Sequence, residues 1–262
     1  MTDLAQKIAS KQVERSQSAT IEDYLKKYEP EFARSLGKSM DAAKFAQDAL
    51  TATKKTPQLQ QADMRSLFGA LFLAAQLKLP VGGPLQQFHL TPRKVQGTWT
   101  VVPVIGYQGY VQLAMNTGLY SKIGAFNIHE RDHFTAGANS ERGEFYDFEA
   151  APGDRGELVG VIGYAKVKGF DETSFVYLDA ERIRSRHRPS NWEKTPWKSD
   201  EGEMFRKTAI RVLQKMLPKS IDAAPLALAA QADQAHVSKI DGVDTLTVEH
   251  DDILDGEVIE GE

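Results

Sequence analysis

The residues best suited to chemistry lie in one stretch, Glu181 to Lys219, which mixes cations with aromatic side chains. It holds eleven Lys or Arg and five Asp or Glu, a net charge of +6, together with Trp192 and Trp197. Cations neutralise phosphates, and aromatic rings stack on bases with about 1–3 kcal/mol per base. Arg outnumbers Lys in the first half, and the planar guanidinium of Arg can form bidentate hydrogen bonds with a phosphate. The stretch favours binding of single-stranded nucleic acid, although a solvated basic face accounts for the same pattern.

The second half of this stretch predicts an amphipathic helix from about Glu201 to Leu217, ended by Pro218. Apolar residues recur there at three- and four-residue spacing. The predicted core face consists of Met204, Phe205, Thr208, Ala209, Val212, Leu213, Met216 and Leu217. Lys207 and Arg211 fall nearly opposite that face without an acidic partner, which disfavours an isolated helix. A polyanion lying against that face would remove this conflict, and a solvated basic face is the alternative.

Other candidate contacts lie on both sides of this helix. The segment 182–198 is interrupted by Pro189 and Pro196, which predicts a flexible cationic flap. For Tyr107 and Trp197, packing in the core is the stronger alternative to base stacking. The candidate nucleic-acid contacts are Arg93, Lys94, Tyr107, Tyr110, Arg182, Arg184, Arg186, Arg188, Trp197, Lys198, Arg206, Lys207, Arg211 and Lys215.

Catalytic chemistry has weaker support. Gly37-Lys38-Ser39 lacks the first glycine of a phosphate loop and the strand before it, so nucleotide hydrolysis through that motif is not predicted. The run IHERDHF at 128–134 matches the letters of a zinc motif, but its alternation predicts a strand that places His129 and His133 on one face, with Arg131 between them.

We predict no enzyme, no catalytic residue, no metal site and no cofactor. Mg²⁺ is compatible with the sequence but not required by it, and a carboxylate-based metal nuclease stays open as an alternative.

Charge is divided unevenly along the 262 residues. The net charge is −4, yet residues 222–262 hold eleven acidic residues and one lysine, which leaves residues 1–221 at +6. This asymmetry is typical of a nucleic-acid-binding body with an interaction tail. We predict a flexible arm at 1–20, a core domain at 21–222 and an acidic, disordered tail at 223–262. The absence of cysteine, of a long apolar run and of a signal-like start favours an intracellular protein without a membrane segment.

Periodicity predicts an α+β domain with helices at the N-terminus, a central antiparallel meander with a packed helix, and the basic helix after it. The predicted helices cover about 21–35, 41–55, 61–77 and 107–117, and a further helix begins at Ala180 after an Asp179 cap. A hairpin of 86–91 with 99–105 carries Arg93 and Lys94 near its tip. Strands are predicted at 122–130, 145–150, 157–169 and 173–178, with 135–143 as a loop.

Several separate motifs together resemble the RecT family of phage and prophage single-strand annealing proteins. The resemblance covers about residues 60–220, and no single motif would suffice for it. The motifs are Ala75-Gln76-Leu77 to Pro80, Gly106-Tyr107-Gln108-Gly109, Gln112-Leu113-Ala114, Gly118, Glu130 with Asp132-His133-Phe134, Trp197, Glu203-Met204, Lys207 to Arg211, and Leu217-Pro218.

The resemblance implies pairing of complementary DNA strands without ATP, in the cytoplasm of a bacterial host, on a core similar to that of the Redβ and Rad52 annealing proteins. It further implies rings or helical filaments of the protein, a 5′→3′ exonuclease partner and the host single-strand-binding protein as another partner. Gln108 stands where the family often has a cation, and Met115-Asn116 where it often has a basic pair. Gln108 still offers hydrogen bonds to DNA. A structural assembly protein of phage type remains a further alternative.

Overall fold

The computed structural model describes residues 20–95, 97–139, 143–170, 172–186, 196–217, 223–233, 236–241 and 245–249. Its first part is helical: α1 covers Ile21–Leu36, α2 Ala42–Lys55, α3 Pro57–Gln60 and α4 Met64–Leu77. Thr20 and Asp23 form a capping box at the start of α1, and Asp41 caps α2. The predicted arm at 1–20 lies outside the described residues except for Thr20.

Helix α4 is apolar on nearly every side and forms the centre of the core. Eleven of its fourteen residues are buried, which is the pattern of a helix covered all round. Tyr28 and Phe32 of α1 pack their rings 5.4 Å and 4.9 Å from the ring of Phe72. The helical layer is therefore held by aromatic contacts between α1 and α4.

A hairpin and a helix follow, as predicted. Strand β1, Phe88–Val95, pairs antiparallel with β2, Thr98–Ile105, and Arg93 and Lys94 lie opposite Thr100 and Trp99 close to the tip. Helix α5 covers Tyr107–Asn116. A Cβ on Gly109 would lie 2.3 Å from the Gln87 carbonyl oxygen, so glycine is what lets α5 begin against this segment.

The central sheet has the order β3–β6–β7, with β3 at Tyr120–His129, β6 at Leu158–Val167 and β7 at Thr173–Asp179. Both pairings are antiparallel. Asp179 accepts hydrogen bonds from the backbone N–H groups of Glu181 and Arg182, which confirms its predicted cap on α6, Ala180–Arg186. The predicted α+β class is confirmed.

The prediction of a loop at 135–143 is wrong for most of that range. Strand β4, His133–Asn139, pairs with β5, Gly143–Glu149. Its Ala- and Gly-containing sequence has low strand propensity, so pairing and packing decide its conformation. The hairpin lies over the outer face of the central sheet, where the Phe126 and Phe148 rings are 4.2 Å apart and the Phe134 and Tyr177 rings 5.1 Å apart.

Helix α7 covers Pro196–Ser199 and helix α8 covers Glu201–Leu213, four residues shorter than predicted. Helix α8 packs on the inner face of the sheet, where a Cβ on Gly163 would lie 3.1 Å from the Ala209 backbone. Because the helix ends early, Met216 is 59% exposed although it was predicted in the core.

Residues beyond 223 differ most from the prediction. Helix α9, Ala224–Ala232, packs into the core through Leu226, Ala229 and Ala232, and strands β8, His236–Asp241, and β9, Thr245–Glu249, form a hairpin whose first strand lies along α4. The expected disorder from residue 223 is therefore wrong for these elements. Residues 250–262 of the predicted tail lie outside the described residues.

Among the helices of the described ranges, none combines the length and the apolar character needed to cross a membrane.

Candidate nucleic-acid interface

Helices α5 and α8 lie side by side, and six of the predicted contact residues meet along this line. They come from three parts of the chain that are far apart in sequence. We call this set the α5–α8 seam: Arg93, Tyr107, Tyr110, Arg206, Lys207 and Arg211.

At one end of the seam, Tyr107 supports the edge of the central sheet. Its hydroxyl accepts a hydrogen bond from the Ala125 N–H at 2.9 Å and donates to the Ala125 carbonyl at 3.4 Å. Within the described part of the chain no strand pairs with β3 on this side, so Tyr107 satisfies backbone groups that would otherwise lack a partner. The Arg206 guanidinium lies 5.3 Å from the centre of the Tyr107 ring and pairs with Glu203. One face of the ring is thus already stacked on a cation.

At the other end, the charges of the seam converge on Asp233, which directly follows α9. The Lys207 ammonium lies 2.9 Å from Oδ1 and 2.8 Å from Oδ2 of this carboxylate, and Arg211 lies 3.7 Å from Oδ2. Burial lowers the pKa of Lys207, and Asp233 opposes that shift. Burial likewise lowers the pKa of Arg93, again with Asp233 opposing it. Asp233 therefore compensates a group of desolvated cations.

Lys207 was predicted to lie on the accessible face of the helix, opposite the core face, but this residue is only 3% exposed. The face of α8 opposite the sheet is covered by α5 and by Asp233 at the end of α9. Composition alone predicted disorder for the segment containing α9, so nothing in the sequence pattern indicated a cover. Arg211 is 32% exposed and remains accessible.

Tyr110 is a core residue. Its side chain is fully buried, and its hydroxyl donates to the Ala229 carbonyl of α9 at 3.3 Å. Burial raises the pKa of this hydroxyl well above its ordinary value. In this arrangement Tyr110 docks α9 and does not present a ring to a base.

A second group of predicted residues lies around the start of α8. Arg184 donates two hydrogen bonds of 2.8 Å to the Glu201 carboxylate, which raises the pKa of its guanidinium. Trp197 is buried with its ring against Phe205, whereas Arg182, Arg186 and Lys198 are exposed. The predicted flap is therefore helical at both of its ends. Its middle, 187–195 with Arg188, lies outside the described residues.

The remaining predicted residues are exposed at separate places. Lys94 lies near the tip of the β1–β2 hairpin, Gln108 in the first turn of α5, and Lys215 just beyond α8. Lys94 and Gln108 each directly follow a seam residue in the chain. The predicted contact residues are therefore divided between the seam, a group at the start of α8 and these separate positions.

The run IHERDHF forms a tight turn between β3 and β4, so the expected strand placing His129 and His133 on one face is wrong. Its centre is Asp132, whose buried carboxylate accepts hydrogen bonds from the His129 and Ala151 N–H groups and from Arg155 at 2.8 Å. The Arg155 hydrogen bonds hold the pKa of this carboxyl far below its ordinary value. All of its oxygen atoms already have donors. Nowhere in the described ranges do three or more His, Asp or Glu residues cluster as metal ligands would.

Asp233 and Arg155 were both missed by the sequence analysis. The Ala-rich run APLALAAQA before Asp233 has high helix propensity and is the one signal that could have indicated a folded element. Arg155 lies in a loop without periodicity, and nothing local marks it as the partner of Asp132.

Comparison with known proteins identifies the family. Residues 43–246 match the model of the RecT family. The chain is 29% identical over 223 residues to Protein RecT of Escherichia coli (strain K12), across 82% of this chain and 80% of that protein. It is also 29% identical over 186 residues to the uncharacterized protein YqaK of Bacillus subtilis (strain 168), across 70% of this chain and 61% of that protein.

The matched region includes both strand pairs of the central sheet, the whole seam, and Asp233. The resemblance read from the motifs is confirmed: the chain belongs to the RecT family, which is a family of single-strand annealing and recombination proteins.

Proposed function

We propose that this protein anneals complementary single DNA strands without ATP by holding their backbones with the cations of the seam. The observation that carries the proposal is the convergence of Arg93, Arg206 and Arg211 from distant parts of the chain onto one line between α5 and α8. Such contacts neutralise phosphates and carry no sequence information. Base pairing between the two strands supplies the sequence matching.

The proposed surface extends from the seam toward exposed cations on either side. Lys94 at the hairpin tip and Arg182 and Arg186 at the end of α6 would contact neighbouring phosphates. Gln108 in the first turn of α5 offers a neutral hydrogen bond where a cation is absent. Phosphates compete there with the carboxylate of Glu203 for Arg206. Because each phosphate that the protein neutralises releases counterions, the affinity for DNA should fall steeply as the salt concentration rises.

We further propose that this protein is not an enzyme and that it needs no nucleotide. Mg²⁺ would be compatible with its function but not required for it. It would assemble with its own copies into a ring or filament in the cytoplasm of a bacterial host. A 5′→3′ exonuclease would supply its single-stranded substrate, and the host single-strand-binding protein would be a second partner. Its products would be annealed duplex intermediates of recombination.

A fluorescence-quenching assay with two complementary oligonucleotides, run without nucleotide and with EDTA, tests this proposal. The double variant Arg206→Gln and Arg211→Gln should lower the magnitude of the log–log salt slope of single-strand affinity by roughly 1.4, which is about 0.7 for each lost contact. Its annealing rate should fall with the affinity.

The matched control removes two cations from the helical layer, Lys26→Gln and Lys44→Gln. Both side chains are largely exposed, at 72% and 69%, and the ion pair described for each is with a carboxylate four residues away on its own helix. This control should anneal like the wild type. Equal losses in both double variants, or normal annealing by a folded seam variant, would contradict the proposal.

A further inference from the structure

Asp233 occupies a pocket whose chemistry suits a phosphate. Its Oδ1 accepts a hydrogen bond from the Ile105 backbone N–H at 2.9 Å and from the Lys207 ammonium at the same distance. The carboxylate is fully buried, and Arg211 lies 3.7 Å from its other oxygen. A backbone N–H flanked by cations is a common arrangement for binding an anion.

The cations of this pocket outnumber the carboxylate inside it. Lys207 and Arg211 both lie within 4 Å of Asp233, and Arg93 is close enough for the two charges to influence each other. Arg211 is too far from the carboxylate for a hydrogen bond, so its donors remain available to another oxygen. A phosphodiester matches the carboxylate in charge and in presenting two free oxygens, but its longer bonds would bring an oxygen nearer to Arg211.

Helix α9, which delivers Asp233, packs into the core through three side chains, and strand β8 beyond it lies along α4. Leu226 is the one large side chain among its buried residues, and Ala229 and Ala232 bury little apolar surface. No side chain caps its first turn. Apart from the Tyr110 hydroxyl on Ala229, the polar contacts that fix its position in the described structure are those of Asp233.

We propose that the pocket of Lys207, Arg211 and the Ile105 N–H binds one backbone phosphate of single-stranded DNA, and that Asp233 fills it in place of that phosphate when DNA is absent. Strand binding then releases α9 from the body. This proposal rests on the proposed function, since it assigns one phosphate subsite within the same seam. The proposal explains why Lys207 is buried against Asp233 while other cations of the seam remain accessible.

The variant Asp233→Asn tests the competition. An asparagine amide has nearly the shape of the carboxylate but places an NH₂ group against the cations, so it should leave the pocket. If the wild-type pocket is open in about one molecule in ten, affinity for oligothymidylate at fixed low salt should rise about tenfold. The double variant Asp233→Asn with Lys207→Met removes the phosphate ligand as well, and should bind more weakly than Asp233→Asn alone.

Hydrogen exchange on the wild-type chain tests release directly and does not depend on how a variant folds. Addition of oligothymidylate should speed exchange of the backbone amides at 224–233, while those of β6 at 158–167 stay unchanged. Unchanged or slower exchange at 224–233 in a chain that binds the strand would overturn the competition, as would unchanged or weaker binding by folded Asp233→Asn.

The two proposals fail in different ways. A wild-type chain that binds no oligothymidylate contradicts the proposed function and this inference with it. A wild-type chain that binds and anneals while 224–233 keeps its protection contradicts only the assignment of the pocket, and makes Asp233 a purely structural partner of Lys207.

Discussion

Two buried carboxylates in this protein have nearly the same chemistry and different surroundings. Asp132 and Asp233 are both fully buried, and each accepts a backbone N–H and pairs with a cation. Asp132 lies in a turn between paired strands, and its partner Arg155 comes from a loop 23 residues away. Asp233 follows a short Ala-rich helix and faces Lys207 and Arg211 together.

The two sites differ in the balance of charge around the carboxylate and in how firmly the chain segment that carries it is anchored. At Asp132 one carboxylate meets one guanidinium and two N–H groups, so each donor has its acceptor and the segment is fixed by the strands on both sides. At Asp233 one carboxylate lies within 4 Å of two cations, and the helix that carries it buries only one large side chain, Leu226. Buried ion pairs are weak evidence for stability in themselves. The balance of charges and the anchoring of the chain decide whether such a pair fixes the fold or leaves a site for a competing anion.

The largest expected effect is on stability at the β3–β4 turn. Asp132→Asn leaves Arg155 without a charge partner and turns an NH₂ group toward backbone donors, so the free energy of unfolding should fall by about 3 kcal/mol. Urea denaturation measures this change. The control variant is Asp154→Asn, which removes the exposed ion-pair partner of Arg131. It should lower the free energy of unfolding by less than about 1 kcal/mol. Similar losses in the two variants would remove the distinction between a buried and a surface pair.

Acid should act through the same carboxylate. Its folded-state pKa is lowered, so its contribution to stability is fully present above the ordinary carboxyl pKa of about 3.9 and is lost as pH falls below it. Between about pH 5 and pH 3 the wild type should therefore lose stability faster than Asp132→Asn, and the two urea midpoints should converge. If the difference between the two urea midpoints stayed constant over this range, Asp132 would titrate normally in the folded chain.

The sequence predicted what depends on local pattern. The helices with strong apolar periodicity, the β1–β2 hairpin and the Asp179 cap were all predictable, and the ordered motifs identified the family. The strand at His133–Asn139 was not, because its small residues acquire a strand conformation only by pairing with β5 and packing on Phe126 and Tyr177.

The candidate site was predictable in its residue types but not in its geometry. Arg93, Tyr107 and Arg211 were each predicted to contact nucleic acid, but no spacing indicated that they share a seam. The burial of Lys207 depends on α9, whose docking comes from a carboxylate 26 residues further along the chain. Amphipathic periodicity reports one buried face of a helix and gives no sign of a second cover supplied by a distant segment.

The most direct test of the account is the salt dependence of oligothymidylate affinity, measured side by side for Asp233→Asn and Asp132→Asn. The account predicts that freeing the pocket adds one phosphate contact, so the log–log slope of Asp233→Asn should exceed that of the wild type by roughly 0.7 in magnitude, while Asp132→Asn keeps the wild-type slope. Identical slopes for all three folded proteins would contradict the assignment of Asp233 to a phosphate pocket.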